Sequence, residues 1–271
     1  MYKLILSDLD ETLLVNHHVP IENVQAIKKA REKGIKFVPA TGRAFNMIPQ
    51  ILDEIDAYDK EGEFSICFNG ALIVENKDNR ILNFNGISFE QTNKLFKLSK
   101  NYDVCVLIFT MDMCYIYNAN SDEVERKTAQ KAPFKVMEVD NIDFLKGDKI
   151  AKILYEKKDV VYLKSIENDL QKDIEKLKVC ASYSSNRYLE FNTLGIDKGF
   201  GLRWLANYLD IDTEDTIAIG DNYNDEKMIQ AAGLGVCVTC AADDLKAQAD
   251  YVTKHDYDQG AVKEVIEKYV L

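Results

Sequence analysis

Strand-like and helix-like segments alternate at both ends of this chain, and this alternation restricts its fold more than any other feature. Near the N-terminus, apolar runs at 4–6, 35–39 and 64–68 are separated by helix-like or turn segments. Runs at 216–219 and 234–238 repeat the pattern near the C-terminus. Because parallel strands need long connections, alternation of this kind predicts a parallel sheet joined by right-handed crossovers.

The middle of the chain, from about residue 84 to 188, has a different pattern. Strand-like runs follow one another closely there, and helix-like stretches interrupt them at 88–100 and at about 160–177. Close succession of strands favours an α+β unit with a largely antiparallel sheet. We therefore predict the α/β class, in which residues 1–84 and 189–271 form a Rossmann-like, doubly wound core around an inserted α+β domain of residues 85–188.

Composition and charge exclude several kinds of partner. The chain has 271 residues, of which 46% are hydrophobic and 29% charged, which is ordinary for a globular protein with room for two domains. The net charge of −11 argues against a nucleic-acid or anionic-membrane surface, and no apolar run reaches the length of a membrane span. The scattered cysteines favour reduced thiols over a disulfide framework, so we expect a cytoplasmic protein.

Two carboxylates, Asp8 and Asp10, directly follow the first apolar run. Burial of acids at the end of a strand is costly unless something compensates the charge. Two unit charges about 4 Å apart repel by roughly 4 kcal/mol at an effective dielectric of 20, so such a pair indicates a use for the charge. The alternative is an acidic turn, because Asp and Thr are common in turns and helix caps.

Further polar loops occupy equivalent places, since each follows a predicted strand or begins a helix. Ligands of open parallel sheets bind beyond the carboxyl ends of the strands, so we expect these loops to converge. The side chains expected to meet there are Asp8, Asp10, Thr41, Lys198, Asp221 and Asp225. So many carboxylates need a cation, and a ligand set made only of oxygen selects a hard ion such as Mg²⁺. A metal, a lysine and free backbone amides would together suit a phosphoryl group.

On these residues the chain resembles the haloacid dehalogenase superfamily of phosphohydrolases, and more narrowly its Cof-type group, over essentially its whole length. The matching segments, in order, are Asp8–Leu13, Ala40–Arg43, Phe68–Ala71, Ile196–Gly199 and Gly220–Asp225. In this group a cap domain that determines substrate specificity is inserted between the second and third motifs. The resemblance therefore implies a catalytic core in the outer segments and a cap at 85–188.

The resemblance also implies roles for the acids. Asp8 would be the nucleophile that forms an aspartyl-phosphate, and Asp10 would be the general acid for the leaving alcohol and then the base for water. Mg²⁺ would be held by the Asp8 side chain, the Asp10 backbone carbonyl and Asp221, with Asp225 on the same metal side.

The remaining candidates would bind the phosphoryl group or the rest of the substrate. The resemblance assigns Thr41, Gly42, Lys198 and Asn224 to the phosphoryl oxygens. Arg43 and Asn69 would face the cap and are candidate substrate contacts. A third candidate, Arg187, lies near the end of the predicted insert, where it could hold a second anionic group. Glu11 departs from the motif, which usually has Gly there, and Cys240 stands where Asn is frequent.

We therefore expect a cytoplasmic, Mg²⁺-dependent phosphohydrolase that acts on a small phosphorylated metabolite. The expected substrate is a sugar phosphate or a cofactor- or nucleotide-like phosphate, and the expected protein is a monomer or homodimer with no nucleic-acid or membrane partner. Two alternatives stay open. A phosphomutase of the same superfamily would share every core motif, and a non-catalytic sensor would bind a phosphorylated metabolite without turning it over.

Overall fold

A computed structural model describes residues 1–130, 132–138 and 140–271, which form two compact units. The first unit consists of Met1–Phe84 and Ile196–Leu271, and the second is Asn85–Gly195. The boundary expected after residue 188 falls at the start of a strand, Tyr188–Thr193, that is paired inside the second unit, and this pairing extends the unit to Gly195. Among the helices described, none has the length and apolar character required to cross a membrane.

The elements are numbered in chain order. The strands are β1 (Leu4–Ser7), β2 (Lys36–Pro39), β3 (Phe64–Cys67), β4 (Leu72–Glu75), β5 (Arg80–Phe84), β6 (Cys105–Thr110), β7 (Cys114–Tyr117), β8 (Phe134–Val136), β9 (Ile150–Glu156), β10 (Val179–Ser184), β11 (Tyr188–Thr193), β12 (Thr216–Gly220), β13 (Leu234–Cys237) and β14 (Tyr251–Val252). The helices are α1 (Ile21–Glu32), α2 (Pro49–Glu54), α3 (Phe89–Ser99), α4 (Ser121–Ala129), α5 (Val160–Leu177), α6 (Lys198–Tyr208), α7 (Glu226–Ala231), α8 (Asp243–Lys246) and α9 (Ala261–Tyr269).

The first unit is built on a five-stranded sheet with the order β14-β13-β12-β1-β2, in which every neighbouring pair is parallel. Ser7 at the end of β1 lies opposite Ile219 and Pro39, so the carboxyl ends of β1, β2 and β12 share one edge. The predicted parallel core is therefore confirmed, and its register brings the loops that follow these three strands together.

The third predicted strand of the first unit has a different partner from the one we expected. β3 forms an antiparallel sheet with β4 and β5, and an isolated bridge between Ala40 and Ile66 links it to the edge of the parallel sheet. The short turn Phe68–Gly70 explains this, because a tight connection can join antiparallel strands but not parallel ones.

Aliphatic packing fixes the core of the first unit beneath its polar edge. β1 is buried throughout, and Leu4 and Leu6 pack with Leu202 and Leu205 of α6. Full burial of one such side chain contributes about 1.5–3 kcal/mol. The contact fixes α6 against the sheet, so the first residue of α6, Lys198, is placed by the core rather than by a flexible loop.

The second unit has a six-stranded sheet with the order β10-β11-β9-β6-β7-β8. Every pair is antiparallel except β7 with β8, which confirms the largely antiparallel α+β unit expected from the sequence. Apolar residues of α3 and α5, such as Leu95 and Leu163, share a core with Ile153 and Tyr155 of β9. Alternate positions of β9 and β11 carry polar groups, including a buried ion pair of 2.6 Å between Lys152 and Glu190.

Candidate active site

Asp8 continues the line of β1 and carries a buried carboxylate. Its backbone amide donates a hydrogen bond of 2.9 Å to the carbonyl of Ile219, which fixes the residue at the carboxyl edge of the sheet. The carboxylate accepts a hydrogen bond from Nζ of Lys198. Burial raises the pKa of Asp8 to about 7, against the opposing effect of the Lys198 charge and with a further upward contribution from Asp225.

Lys198 is the buried cation of this site. Its side chain is fully excluded from solvent, and Nζ lies 2.5 Å from Oδ1 of Asp225 in addition to its contact with Asp8. Burial on its own would lower the pKa of the Lys198 ammonium, but the two carboxylates outweigh burial and raise this pKa above its usual value. The Asp197 side chain caps α6 by accepting a 2.7 Å hydrogen bond from the amide of Phe200.

Asp225 connects the lysine to the loop that follows β12. Its Oδ1 faces Lys198, while its Oδ2 accepts hydrogen bonds from the backbone amides of Asp221 and Asn222 at 3.2 and 3.1 Å. The residue is fully buried. Both oxygens therefore have donors, and Asp225 holds the loop and the lysine in one arrangement.

Asp221 is the third buried acid, and Thr12 orients it. Oγ1 of Thr12 donates a 2.7 Å hydrogen bond to Oδ1 of Asp221, and Thr12 is fully buried. Burial raises the pKa of Asp221 to about 8, followed by the charges of Asp8 and Asp225 as further causes. Thr12 is not among the predicted site residues, although its place in the first matching segment is a signal that could have identified it.

The buried acids meet the requirements of a cation site. Carboxylate oxygens of Asp8, Asp221 and Asp225 all lie within 4.8 Å of one another. One lysine cannot neutralise three buried carboxylates, and burial first, with the neighbouring acids as a further cause, raises the pKa values of Asp8 and Asp221. A hard divalent ion such as Mg²⁺ fits an all-oxygen set of this kind. The carboxylate of Asp10 is not part of the group, and the metal contact expected from its backbone carbonyl stays a prediction.

Asp10 instead forms an ion pair with Arg43. Nε of Arg43 donates to Oδ2 of Asp10 at 3.0 Å, and a terminal nitrogen of the same guanidinium donates to Oδ1. The Asp10 side chain is 55% exposed, whereas that of Arg43 is 19% exposed. The resemblance predicts that Arg43 faces the substrate, and its pairing with an acid of the first loop is not part of that expectation.

The loops after β2, β3 and β12 bring the remaining core candidates together. Thr41 is buried, and its Oγ1 accepts a 3.1 Å hydrogen bond from the amide of Arg43. Asn224 donates from Nδ2 to Oδ1 of Asn69 at 3.2 Å. A Cβ atom at Gly42 would lie only 3.1 Å from the same Asn69 oxygen, so the absence of a side chain there allows this close approach.

Arg187 is the one candidate that lies in the second unit. Its guanidinium pairs with Asp122 and, at 3.2 Å, with Glu156, so a substrate contact from Arg187 stays a prediction.

Glu11 and Cys240, the two residues that depart from the family motifs, are in contact in the first unit. Cys240 donates from Sγ to the carbonyl of Glu11 at 3.7 Å, and Glu11 has a φ of 58°, in the left-handed region that favours the glycine usual at that position.

Comparisons with known proteins match nearly the whole chain. A family model described as haloacid dehalogenase-like hydrolase matches residues 5–266. A phosphoglycolate phosphatase of Methanobrevibacter smithii is 28% identical over 98% of both chains. The 5-amino-6-(5-phospho-D-ribitylamino)uracil phosphatase YcsE of Bacillus subtilis is 28% identical over 97% of this chain and 94% of its own. A crystal structure of a haloacid dehalogenase-like hydrolase from Bacteroides thetaiotaomicron has a TM-score of 0.85 at 28% identity, covering 98% of this chain and 99% of that one.

Proposed function

Because the chain belongs to the family of haloacid dehalogenase-like hydrolases, we propose that it is a Mg²⁺-dependent phosphatase of a small phosphorylated metabolite, with Asp8 as its nucleophile. The two relatives named above act, by their names, on a phosphorylated hydroxy acid and on a phosphorylated ribityl compound. These substrates share a phosphate monoester and little else, so they support the class of substrate and not one compound. A sugar phosphate or a cofactor-like phosphate lies within that class.

The observation that carries the proposal is the buried contact of Asp8 with Lys198 beside Asp221 and Asp225. A carboxylate nucleophile needs a neighbouring positive charge, because the phosphoryl group that it attacks is itself anionic. Mg²⁺, when bound, would be held by Asp8, Asp221 and the Asp10 carbonyl with Asp225 on the same side, and it would neutralise charge on the phosphoryl oxygens.

The reaction would proceed in two displacements at phosphorus. In the first, an Asp8 oxygen bonds to phosphorus, the bond to the substrate oxygen breaks, and Asp10 gives its proton to the leaving alkoxide. In the second, Asp10 takes a proton from water as the water oxygen bonds to phosphorus, and the bond to Asp8 breaks to release inorganic phosphate. Lys198 and Thr41 would bind the phosphoryl oxygens in both steps, together with Gly42 and Asn224.

Choice of substrate would belong to the inserted segment, for which residues 85–188 were predicted as the specificity domain. Arg187 remains our candidate there for a second anionic group, and Arg43 and Asn69 remain candidates in the first unit. The expected location is the cytoplasm, where scattered cysteines stay reduced.

The proposal is tested with purified Asp8→Asn protein. It should lose Mg²⁺-dependent release of inorganic phosphate from an aryl phosphate and from a panel of phosphorylated metabolites, because an amide does not attack phosphorus. Asp53→Asn, an exposed aspartate of α2, is the matched control and should retain full activity. Undiminished turnover by Asp8→Asn would refute the mechanism, and a requirement for a bisphosphate activator would favour the phosphomutase.

A second variant tests the intermediate. Asp10→Asn should accumulate phosphorylated Asp8 when a good leaving group is supplied, because the first displacement then needs little acid and the second has lost its base. Intact-mass spectrometry after rapid quenching measures the phosphoryl increment. Turnover at the wild-type rate would remove Asp10 from the mechanism.

A further inference from the structure

We propose that Arg43 is a positioning residue that holds the Asp10 carboxylate in place for proton transfer. This inference rests on the proposed function, in which Asp10 is the acid and base. It differs from the expectation that Arg43 contacts the substrate. The two assignments predict different kinetics, which the experiment below separates.

The geometry of the contact carries the inference. Two nitrogens of one guanidinium face the two oxygens of one carboxylate, with Nε donating to Oδ2 at 3.0 Å and a terminal nitrogen donating to Oδ1. A two-pronged contact of this kind fixes the plane of a carboxylate as well as its distance. Asp10 needs such a restraint, because its side chain is half exposed and burial alone does not hold it.

Arg43 can impose this restraint because its own backbone is anchored on both sides. Its amide donates a 3.1 Å hydrogen bond to Oγ1 of Thr41, and its carbonyl accepts a 3.0 Å hydrogen bond from the amide of Phe68. Thr41 and Phe68 are both buried, so these anchors lie in the packed interior of the unit. The guanidinium therefore extends from a fixed point to the loop that follows β1.

The pairing also keeps the two acids of the first loop apart. Asp8 lies with Lys198 in the buried group, whereas the Asp10 carboxylate is held by a different cation outside that group. An arginine guanidinium does not give up a proton in proteins, so Arg43 cannot replace Asp10 as acid or base. As a positioning residue it would act through Asp10, and this dependence can be measured.

The test is a double-mutant cycle on kcat, with Arg43→Gln measured in the wild-type and Asp10→Asn backgrounds. Displacement of a catalytic group by about 1 Å costs on the order of 10²-fold, so we expect a fall of that size in kcat for alkyl phosphates in the wild-type background, with a smaller change in KM. In the Asp10→Asn background, Arg43→Gln should cost less than about threefold, because the group that it positions is already inactive.

Two further measurements define the positioning role. Arg43→Lys keeps the charge but cannot make the two-pronged contact, so it should restore only part of the lost kcat. The rate of the first displacement, measured in single turnover, should fall less for aryl phosphates with acidic phenols, since these leaving groups need no proton. Arg80→Gln is the matched control, because Arg80 also donates from two nitrogens to a carboxylate, that of Glu75, and it should leave kcat unchanged.

Specific outcomes would overturn the inference. An equal loss from Arg43→Gln in both backgrounds, or a rise in KM with kcat preserved, would make Arg43 a substrate contact. Wild-type kcat in Arg43→Gln together with a large loss in Asp10→Asn would overturn the inference and leave the proposed function intact. Wild-type kcat in Asp10→Asn would instead refute the acid–base role itself. Thermal unfolding midpoints of all variants show whether the fold is retained.

Discussion

Removal of the Lys198 charge should destabilise the protein strongly and in a way that depends on pH. Lys198→Met keeps the length and apolar character of the side chain but leaves Asp8 and Asp225 without the ammonium that contacts both. The loss of one partner from a buried ion pair costs about 3–5 kcal/mol, because the remaining charge stays buried and uncompensated. With a urea dependence of about 2–3 kcal/mol per M, the unfolding midpoint should fall by roughly 1–2.5 M.

The size of this loss should vary with pH because the acids can take up protons instead. Burial, together with neighbouring acids, already raises the pKa values of Asp8 and Asp221 to about 7 and about 8 while Lys198 is present. Well below these values the carboxyl groups are neutral, and the lysine has less charge to balance. Lys198→Met should therefore be much closer to the wild type in acid than in alkaline solution, both measured without Mg²⁺.

The chain offers a simple assay and a matched control for this prediction. Trp204 is its single tryptophan and lies in α6, the helix that begins at Lys198, so its fluorescence reports unfolding of the unit that contains the site. Lys3→Met removes a lysine that pairs with Asp215 at 2.7 Å on the surface, and its midpoint should stay near that of the wild type. Equal midpoint shifts for Lys198→Met and Lys3→Met, or a shift independent of pH, would refute the reasoning.

Two further predictions concern the same acids. The pKa values of Asp8 and Asp221 are higher in the folded protein than in the unfolded chain, so between about pH 4 and 8 the folded protein binds more protons than the unfolded chain. Without Mg²⁺, the free energy of unfolding should therefore fall as the pH rises through that window. Saturating Mg²⁺ should reduce this slope in urea unfolding curves, and an unchanged slope would contradict the assignment of the metal to these acids. Thr12→Val removes the hydroxyl that donates to Asp221. This variant should lose about 2 kcal/mol of stability and bind Mg²⁺ about 10–100-fold more weakly. Thr12→Ser keeps a hydroxyl and should retain most of the stability and most of the Mg²⁺ affinity. Calorimetric titration with Mg²⁺ measures the binding, and wild-type affinity in Thr12→Val would contradict the orienting role.

The sequence predicts which edge of the sheet carries the site, because strand periodicity locates strand ends without any knowledge of side-chain contacts. Parallel pairing of β1 with β2 and β12 then brings Asp8, Thr41 and Asp221 to that edge. The partner predicted for β3 is wrong, because periodicity indicates that a segment is a strand but not which strand it pairs with. The tight turn after β3 decides that question.

Pairings between side chains could not be predicted in the same way. Lys198 and Asp8 are 190 residues apart, and Arg43 and Asp10 are 33 apart. Several acids and bases converge on this edge, and which of them pair depends on distances of a few ångströms fixed by packing. Lys198 is buried at the start of α6 and pairs there with Asp8 and Asp225, which are also buried. The more exposed Arg43 pairs with Asp10.

The two acids of the first loop therefore differ because their surroundings differ. Asp8 continues a buried strand and its side chain is 10% exposed, whereas the Asp10 side chain, two residues further on in the turn, is 55% exposed. A nucleophile benefits from a fixed, water-poor position beside a cation, since its attack requires one geometry. A group that must exchange protons with both an alcohol and water needs access to each of them, and the partly exposed carboxylate of Asp10 provides such access. This asymmetry supports the proposed division of labour, and it explains why the Asp8 and Asp10 roles should not be exchangeable even though the residues are chemically identical.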